Sequence, residues 1–318
     1  LAAVRRGLDG EPDLASILSR EAISGGVDWR IRWMEGRYAV SGWAGFSHVA
    51  GDSLAIDRIQ RSSAHYFQRP DAGYLGYDPS RRSMNGYTAS IRADKDAGRH
   101  ILWGAQLKAE SPDYEVNDLG RLQSADNIEY NADIQIRETV PGRFFQNWRV
   151  GFESKGEYTF GGNQTRQELN QTSMLTLANF WSVNISTRFG LPSLDGAATR
   201  GGPLMGKPLS WGNDIRLNSP FGSRTSWRIN YNWNRNAFGG GNDNFGGSLT
   251  VRPTSRWQVT LEPSYQKRED ARQYVTAFDD VAATSTFGRR YLFAFVDRST
   301  MSVKTRLNYT FSPSLTLE

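Results

Sequence analysis

The 318-residue sequence predicts an all-β chain: a transmembrane antiparallel up-and-down β-barrel with about 14 strands visible and more expected in the complete protein. Three observations carry this. Apolar and polar residues alternate with period two along most of the chain, the pattern of strands with two unlike faces. The tryptophans fall on the apolar face, while the opposite face is crowded with charge. Connections alternate between short polar turns and long loops, as in barrels with brief turns at one rim and long loops at the other.

Residues 1–26 read as the end of an upstream strand, a loop and a short helix over Asp13–Ile23, with Asp13 as N-cap and Leu14, Ile17 and Leu18 following. The barrel is assigned to residues 27–318. Its first strand sets Val27, Trp29, Ile31 and Trp33 against Asp28, Arg30 and Arg32, and its second puts Tyr38, Val40, Ala44 and Phe46 on one face. Tyr87 to Ala93 and Ile101 to Leu107 continue the pattern, and Ile128, Tyr130, Ala132, Ile134 and Ile136 against Glu129, Asn131, Asp133, Gln135 and Arg137 give its cleanest form. Alternation returns around Trp148, Trp181, Trp227, Phe245, Trp257, Tyr291–Val296 and Met301–Phe311, and is weaker at Met174–Leu177 and Asp214–Asn218. No segment after residue 25 shows a helical period.

Glu35–Arg37, Lys95–Arg99, Val140–Arg143 and Pro253–Arg256 read as short turns, and 49–83, 111–126, 190–210, 236–243 and 269–289 as long connections. The last quarter has two readings. Either Asp297–Thr300 is a turn, which sends Ser312–Ser314 to the long-loop side, or Tyr274–Phe278 form an additional strand and the parity flips. Leu1–Arg5 and Ser314–Glu318 read as strand fragments, so both ends look cut.

Charge separates a membrane barrel from a soluble sandwich. Arg30, Arg32, Arg92, Lys108, Arg137, Arg149, Arg188, Arg216, Arg228, Arg252, Lys304 and Arg306 would face inward, with Asp28, Asp94, Glu110, Glu129, Asp133, Glu153, Asp214 and Glu262. A dry core excludes so many charges, whereas a hydrated lumen holds them. Trp29, Trp33, Trp103, Trp148, Trp181, Trp227, Trp233 and Trp257 are assigned to a lipid-facing aromatic girdle; Trp211 shares their face and Trp43 does not.

With no Cys and three His, disulfide scaffolds, thiolate zinc sites, iron–sulfur clusters and cysteine nucleophiles are excluded. No run approaches the eighteen or so apolar residues of a membrane-spanning helix. The mean hydropathy of −0.58 is the average of two unlike faces. A pI of 9.4 reflects arginines interspersed with acids rather than a basic stripe, so no nucleic-acid partner is expected.

The loops carry a resemblance. Arg58-Ile59-Gln60-Arg61-Ser62-Ser63-Ala64-His65-Tyr66-Phe67-Gln68-Arg69-Pro70-Asp71 is distinctive, as are Tyr114-Glu115-Val116-Asn117-Asp118-Leu119-Gly120 with Ala125-Asp126, and Thr199-Arg200-Gly201-Gly202-Pro203-Leu204-Met205. In this order they resemble the C-terminal barrel of an uncharacterised bacterial outer-membrane family, over nearly the whole chain. Members of that family usually carry an N-terminal domain similar to family 9 carbohydrate-binding modules. The resemblance implies outer-membrane location and further strands on either side. A glycan role would belong to the N-terminal domain.

Ser62, His65 and Asp71 are the residue types of an acyl-transfer triad, set beside a reading in which this loop merely folds, its aromatics packing and His65 hydrogen-bonded. Asp279, Asp280 and Asp243 carry calcium-friendly oxygens, though without a calcium-loop spacing. No cofactor is expected. The function expected is that of a channel, an export or anchoring barrel, or a scaffold for other envelope proteins, in contact with outer-membrane lipid and lipopolysaccharide. An outer-membrane hydrolase acting on lipid, peptide or glycan is the alternative.

Overall fold

The computed structural model describes residues 1–220, 222–312 and 315–317. The first half of the wall comprises β1 (Ala2–Arg5), β2 (Glu21–Trp33), β3 (Tyr38–Ala50), β4 (Ser83–Lys95), β5 (Ile101–Glu110), β6 (Asn127–Glu138), β7 (Phe145–Tyr158), β8 (Gln164–Leu177) and β9 (Ser182–Gly190). A small hairpin, β10 (Ser193–Asp195) and β11 (Met205–Lys207), pairs apart from it. The wall resumes with β12 (Ser210–Asn218), β13 (Thr225–Asn236), β14 (Gly241–Val251), β15 (Trp257–Asp279), β16 (Arg289–Ser312) and β17 (Leu315–Leu317). Apart from the hairpin, these strands form one fifteen-stranded sheet in chain order. Its ladders are antiparallel throughout, and among the described residues none joins β1 to β17.

The register keeps the two faces separate from strand to strand. Ile31, Val40, Ala93, Ala105 and Ala132 form one cross-strand row. Arg32, Ala39, Asp94, Gly104, Asp133 and Glu153 form the next, on the opposite face. Because side chains alternate, this arrangement sorts every strand into an apolar and a charged side. The charged side is concave: Arg92 on β4 reaches past β5 to Asp133 on β6, at 2.9 Å, while holding Asp94 at 2.7 Å. Gly104 lies beneath that guanidinium, and a Cβ there would sit 2.0 Å from it. Among the described residues nothing covers the apolar side, with Val27 68%, Ile31 62% and Met301 77% exposed.

Several elements differ from the sequence reading. The helix expected over Asp13–Ile23 is a single turn, α1 (Pro12–Ala15), with Glu11 at the N-cap and Asp13 inside the first turn. The chain is already in β2 at Glu21, so the boundary drawn between 26 and 27 cuts a strand; Gly25 and Gly26, with no side chains, hide its alternation. A helix was missed at α2 (Ser53–Gln60), capped by Asp52, whose carboxylate accepts from Leu54 N. Its buried face is Ala55, Ile56 and Gln60, and the polar Gln60 masks the apolar period.

The long connection expected at 236–243 is a tight turn closed by Asn236 N donating to Gly240 O at 2.9 Å, with Gly239 in the left-handed region. Neither reading of the last quarter holds. Asp297–Thr300 lie inside β16, and Tyr274–Phe278 belong to the continuation of β15. Register shifts between Asp270 and Gln273 and between Tyr274 and Thr276 interrupt the period there, as bulges do. Pro313 and Ser314, of the turn read at Ser312–Ser314, lie outside the described residues, as does Glu318.

Candidate functional site

Buried apolar side chains concentrate in one place. Ala22, Val49 and Met84 come from the loop-bearing ends of β2, β3 and β4, on the concave face. Against them pack Ile56 of α2 and Phe67, Ala72 and Leu75 of the segment after it, with Ile59 and Leu119 at the margin. The connection between β3 and β4 is therefore folded back over the lumen as a cap with its own core.

Polar contacts bind the other loops to that cap. His65 has a fully buried side chain and uses both ring nitrogens: Nδ1 lies 2.9 Å from Pro112 O and Nε2 2.8 Å from Glu115 Oε2. A carbonyl only accepts, so Nδ1 carries a proton, and a second proton lies between Nε2 and the carboxylate. Glu115 also accepts from Asn117 N, and its own N–H donates to Ser47 on the concave face of β3 at 2.9 Å. Ala125 N donates to Ala64 O at 2.9 Å. Asp118 pairs with Arg6 at 2.8 Å and accepts from Ser19, tying in the loop between β1 and β2. Gly86, facing inward on β4, is where the Tyr114 backbone touches the wall: a Cβ would meet Tyr114 Cα at 2.1 Å.

The connection between β9 and β12 joins through Leu204 N, which donates to Asp71 Oδ2 at 2.6 Å. Gly201, in the left-handed region, lets this loop close on Tyr66 and Gln68. Tyr66 and Arg200 are themselves in that region, a conformation costly for side chains of their size and held here by mutual packing of the loops. Tyr74 donates from its hydroxyl to Asp126, whose other oxygen accepts from Phe160 N at 2.9 Å. Burial, then the Asp126 hydrogen bond, pushes the Tyr74 phenol up to about 12. Burial likewise raises the Asp126 carboxyl. The three loop motifs singled out in the sequence thus meet in one assembly. Sequence gave no link between His65 and Glu115, which stand fifty positions apart.

Ser62, His65 and Asp71 do not form a triad. His65 is committed to Pro112 and Glu115, the Ser62 hydroxyl accepts from Ala64 N, and Asp71 is taken by Leu204 N and Arg69. The calcium candidates are also dispersed. Asp279 pairs with Arg289, Asp280 with Arg290 while capping Ala282 N, and Asp243 with Arg235 and the Tyr231 hydroxyl. Among the described residues no group of three or more His, Asp or Glu side chains could hold a metal ion.

On the concave wall the register aligns Arg30, Arg32, Arg92, Lys108, Glu129, Asp133, Arg137, Arg149, Arg188, Arg228, Lys304 and Arg306. Near the loops the charges are paired: Lys108 with Glu110 and Glu129, Lys155 with Glu153, Arg166 with Glu157. Close to the short turns they are mostly arginines. On the convex wall Trp33, Trp103, Trp148, Trp181, Trp227 and Trp257 all stand beside the short turns, Trp211 and Trp233 near the loop end, and Trp29 lower in the wall over Gly42.

Comparison with solved structures shows the barrel fold. The chain is similar to the siderophore receptor PirA from Acinetobacter baumannii, with a TM-score of 0.50 and 10% identity over 92% of this chain and 48% of that one. A variant of the ferric enterobactin receptor PfeA from Pseudomonas aeruginosa is also similar, with a TM-score of 0.46 and 10% identity over 93% and 49% of the two chains. The chain spans about half the length of these receptors. None of the curated proteins matches it. A family model described as a domain of unknown function, DUF5916, matches residues 19–318. The chain therefore belongs to the DUF5916 family.

Proposed function

We propose that this chain forms the wall of a bacterial outer-membrane β-barrel that serves as a capped conduit for polar solutes. The supporting observation is the uncovered apolar face. From Trp33 to Ile23 along β2, at about 3.3 Å per residue and a tilt of about 40°, the apolar belt is roughly 25 Å tall, the height of a barrel's lipid band. Water tolerates no contiguous apolar surface of that extent, whereas lipid acyl chains cover it without cost. Lipid and lipopolysaccharide are accordingly its partners, with the long loops outward and the short turns toward the periplasm. The charged concave face supports a hydrated interior, and the cap narrows its outer mouth.

Fractionation and gel migration test this reading. The protein should require detergent for extraction and should migrate differently before and after boiling, as intact barrels do. Release in soluble form without detergent contradicts it. Reconstitution in planar bilayers should then give conductance that rises when the cap is cut between α2 and β4.

A further inference from the structure

The charges on the concave wall are sorted by height. In the inward positions next to the short turns, Arg32 on β2, Arg137 on β6, Arg149 on β7 and Arg228 on β13 surround the lumen from separate strands. None has a carboxylate partner among the described residues. Arg137 donates to Gly98 O at 2.9 Å, Arg149 rests on the Met174 sulfur at 2.9 Å, Arg228 donates to Asn218 Oδ1 at 2.9 Å, and Arg32 makes no hydrogen bond or ion pair among the described residues. The inward carboxylates at that end are occupied by other arginines, Asp96 by Arg30 and Asp94 and Asp133 by Arg92. Toward the loops, by contrast, Lys108, Lys155 and Arg166 each face an acid, while Arg188 donates to the Asn170 amide oxygen.

Each guanidinium offers five donors in a rigid fork, so a neutral partner leaves most of them free for a ligand. Like charges spaced around a mouth with low-dielectric walls also reinforce one another, and such rings select anions. We propose that the short-turn mouth of the lumen is an anion-gathering vestibule, whose solutes are oxyanions carrying two or more phosphate or carboxylate groups. This rests on the barrel reading above and names the class of solute it would serve.

The test uses the full chain in planar bilayers, after heat-modifiable migration has shown that each variant is folded. Under a KCl gradient the wild type should prefer chloride over potassium. Inorganic pyrophosphate should block its current. In R137Q/R149Q/R228Q the preference should fall toward unity, and the blocking concentration should rise about tenfold, the lower end of what a charge-lined cleft does to local ion concentration. The control K155Q/R166Q removes two cations near the loops and should leave both readings unchanged. Cation preference in the wild type, equal shifts in the control, or a folded barrel that passes no current each overturns the vestibule. Failure of every variant, wild type included, to migrate as a barrel overturns the earlier reading instead.

Discussion

The two rims of the wall are built from the same strands in opposite ways. At the short-turn rim, connections of four to six residues join β2 to β3, β4 to β5, β6 to β7, β8 to β9, β12 to β13 and β14 to β15, and the rings lie outside. Trp33 stacks on Tyr38 at 5.9 Å, Trp181 meets Trp227 edge-on at 5.0 Å, and Trp257 lies 4.5 Å from Tyr309. At the loop-bearing rim the apolar residues turn inward, and the connection between β3 and β4 builds a small protein-like core over the lumen, with Leu119 of the next long connection at its margin. A rim facing an amphipathic interface can leave its aromatics outside, because the interface receives them. Long loops in water must bury apolar surface among themselves and satisfy their backbone with buried polar pairs.

That contrast can be broken by substitution. The largest effect is expected at Phe67, 2% exposed at the centre of the cap: Phe67→Ala should cost about 3–5 kcal/mol. The loss should stay local, with faster hydrogen exchange and new proteolytic cuts in residues 51–82 while β6–β9 keep their protection. Exchange that spreads through those strands would show that cap and wall are one cooperative unit.

Next comes the outer face. Phe152, 51% exposed in the middle of β7, should tolerate Arg badly, losing about 2–4 kcal/mol in urea unfolding from lipid vesicles. Thr172→Arg, on the concave side of the neighbouring strand, should lose far less. Equal losses would erase the distinction between the faces.

His65→Ala takes from Glu115 its ring partner and should cost about 1–3 kcal/mol. The readout is protease sensitivity at residues 111–126, and a loop as resistant as wild type contradicts a bracing role. The smallest effect is spectroscopic. Tyr74 is raised to about 12, so its contribution is complete below the ordinary phenol value near 10 and is lost as pH rises through about 12. The difference in phenolate absorbance between wild type and Tyr74→Phe should show one group titrating near pH 12. A group titrating near 10 would mean that the Asp126 contact is absent.

Much of the wall was legible because period-two alternation is a local property, written wherever each residue has a side chain and a regular place. It failed where those conditions failed: at Gly25 and Gly26, where the beginning of β2 went unseen, and at the bulges after Asp270, where a long hairpin looked like a loop. The cap was legible only as three unusual motifs. Nothing in the neighbourhood of His65 announces Glu115, since the partnership depends on two loops being carried to one side of a wall. Ser62 and Asp71 mislead for the same reason, being close in sequence but engaged elsewhere. Gly86 left a trace in the sequence, a glycine in a strand interior, which marks close approach of another backbone.

The composition of the cap core also bears on the order of assembly. Every side chain in it lies between Ala22 and Leu119, so its contacts close before the second half of the chain is needed. Contacts of short sequence separation form early, whereas each long-range ladder waits on loop closure. The cap can therefore stand complete against β2, β3 and β4 as the remaining strands add in turn. On that order the hydrogen bond from Leu204 to Asp71 would fasten a later-folding loop to a seat already formed.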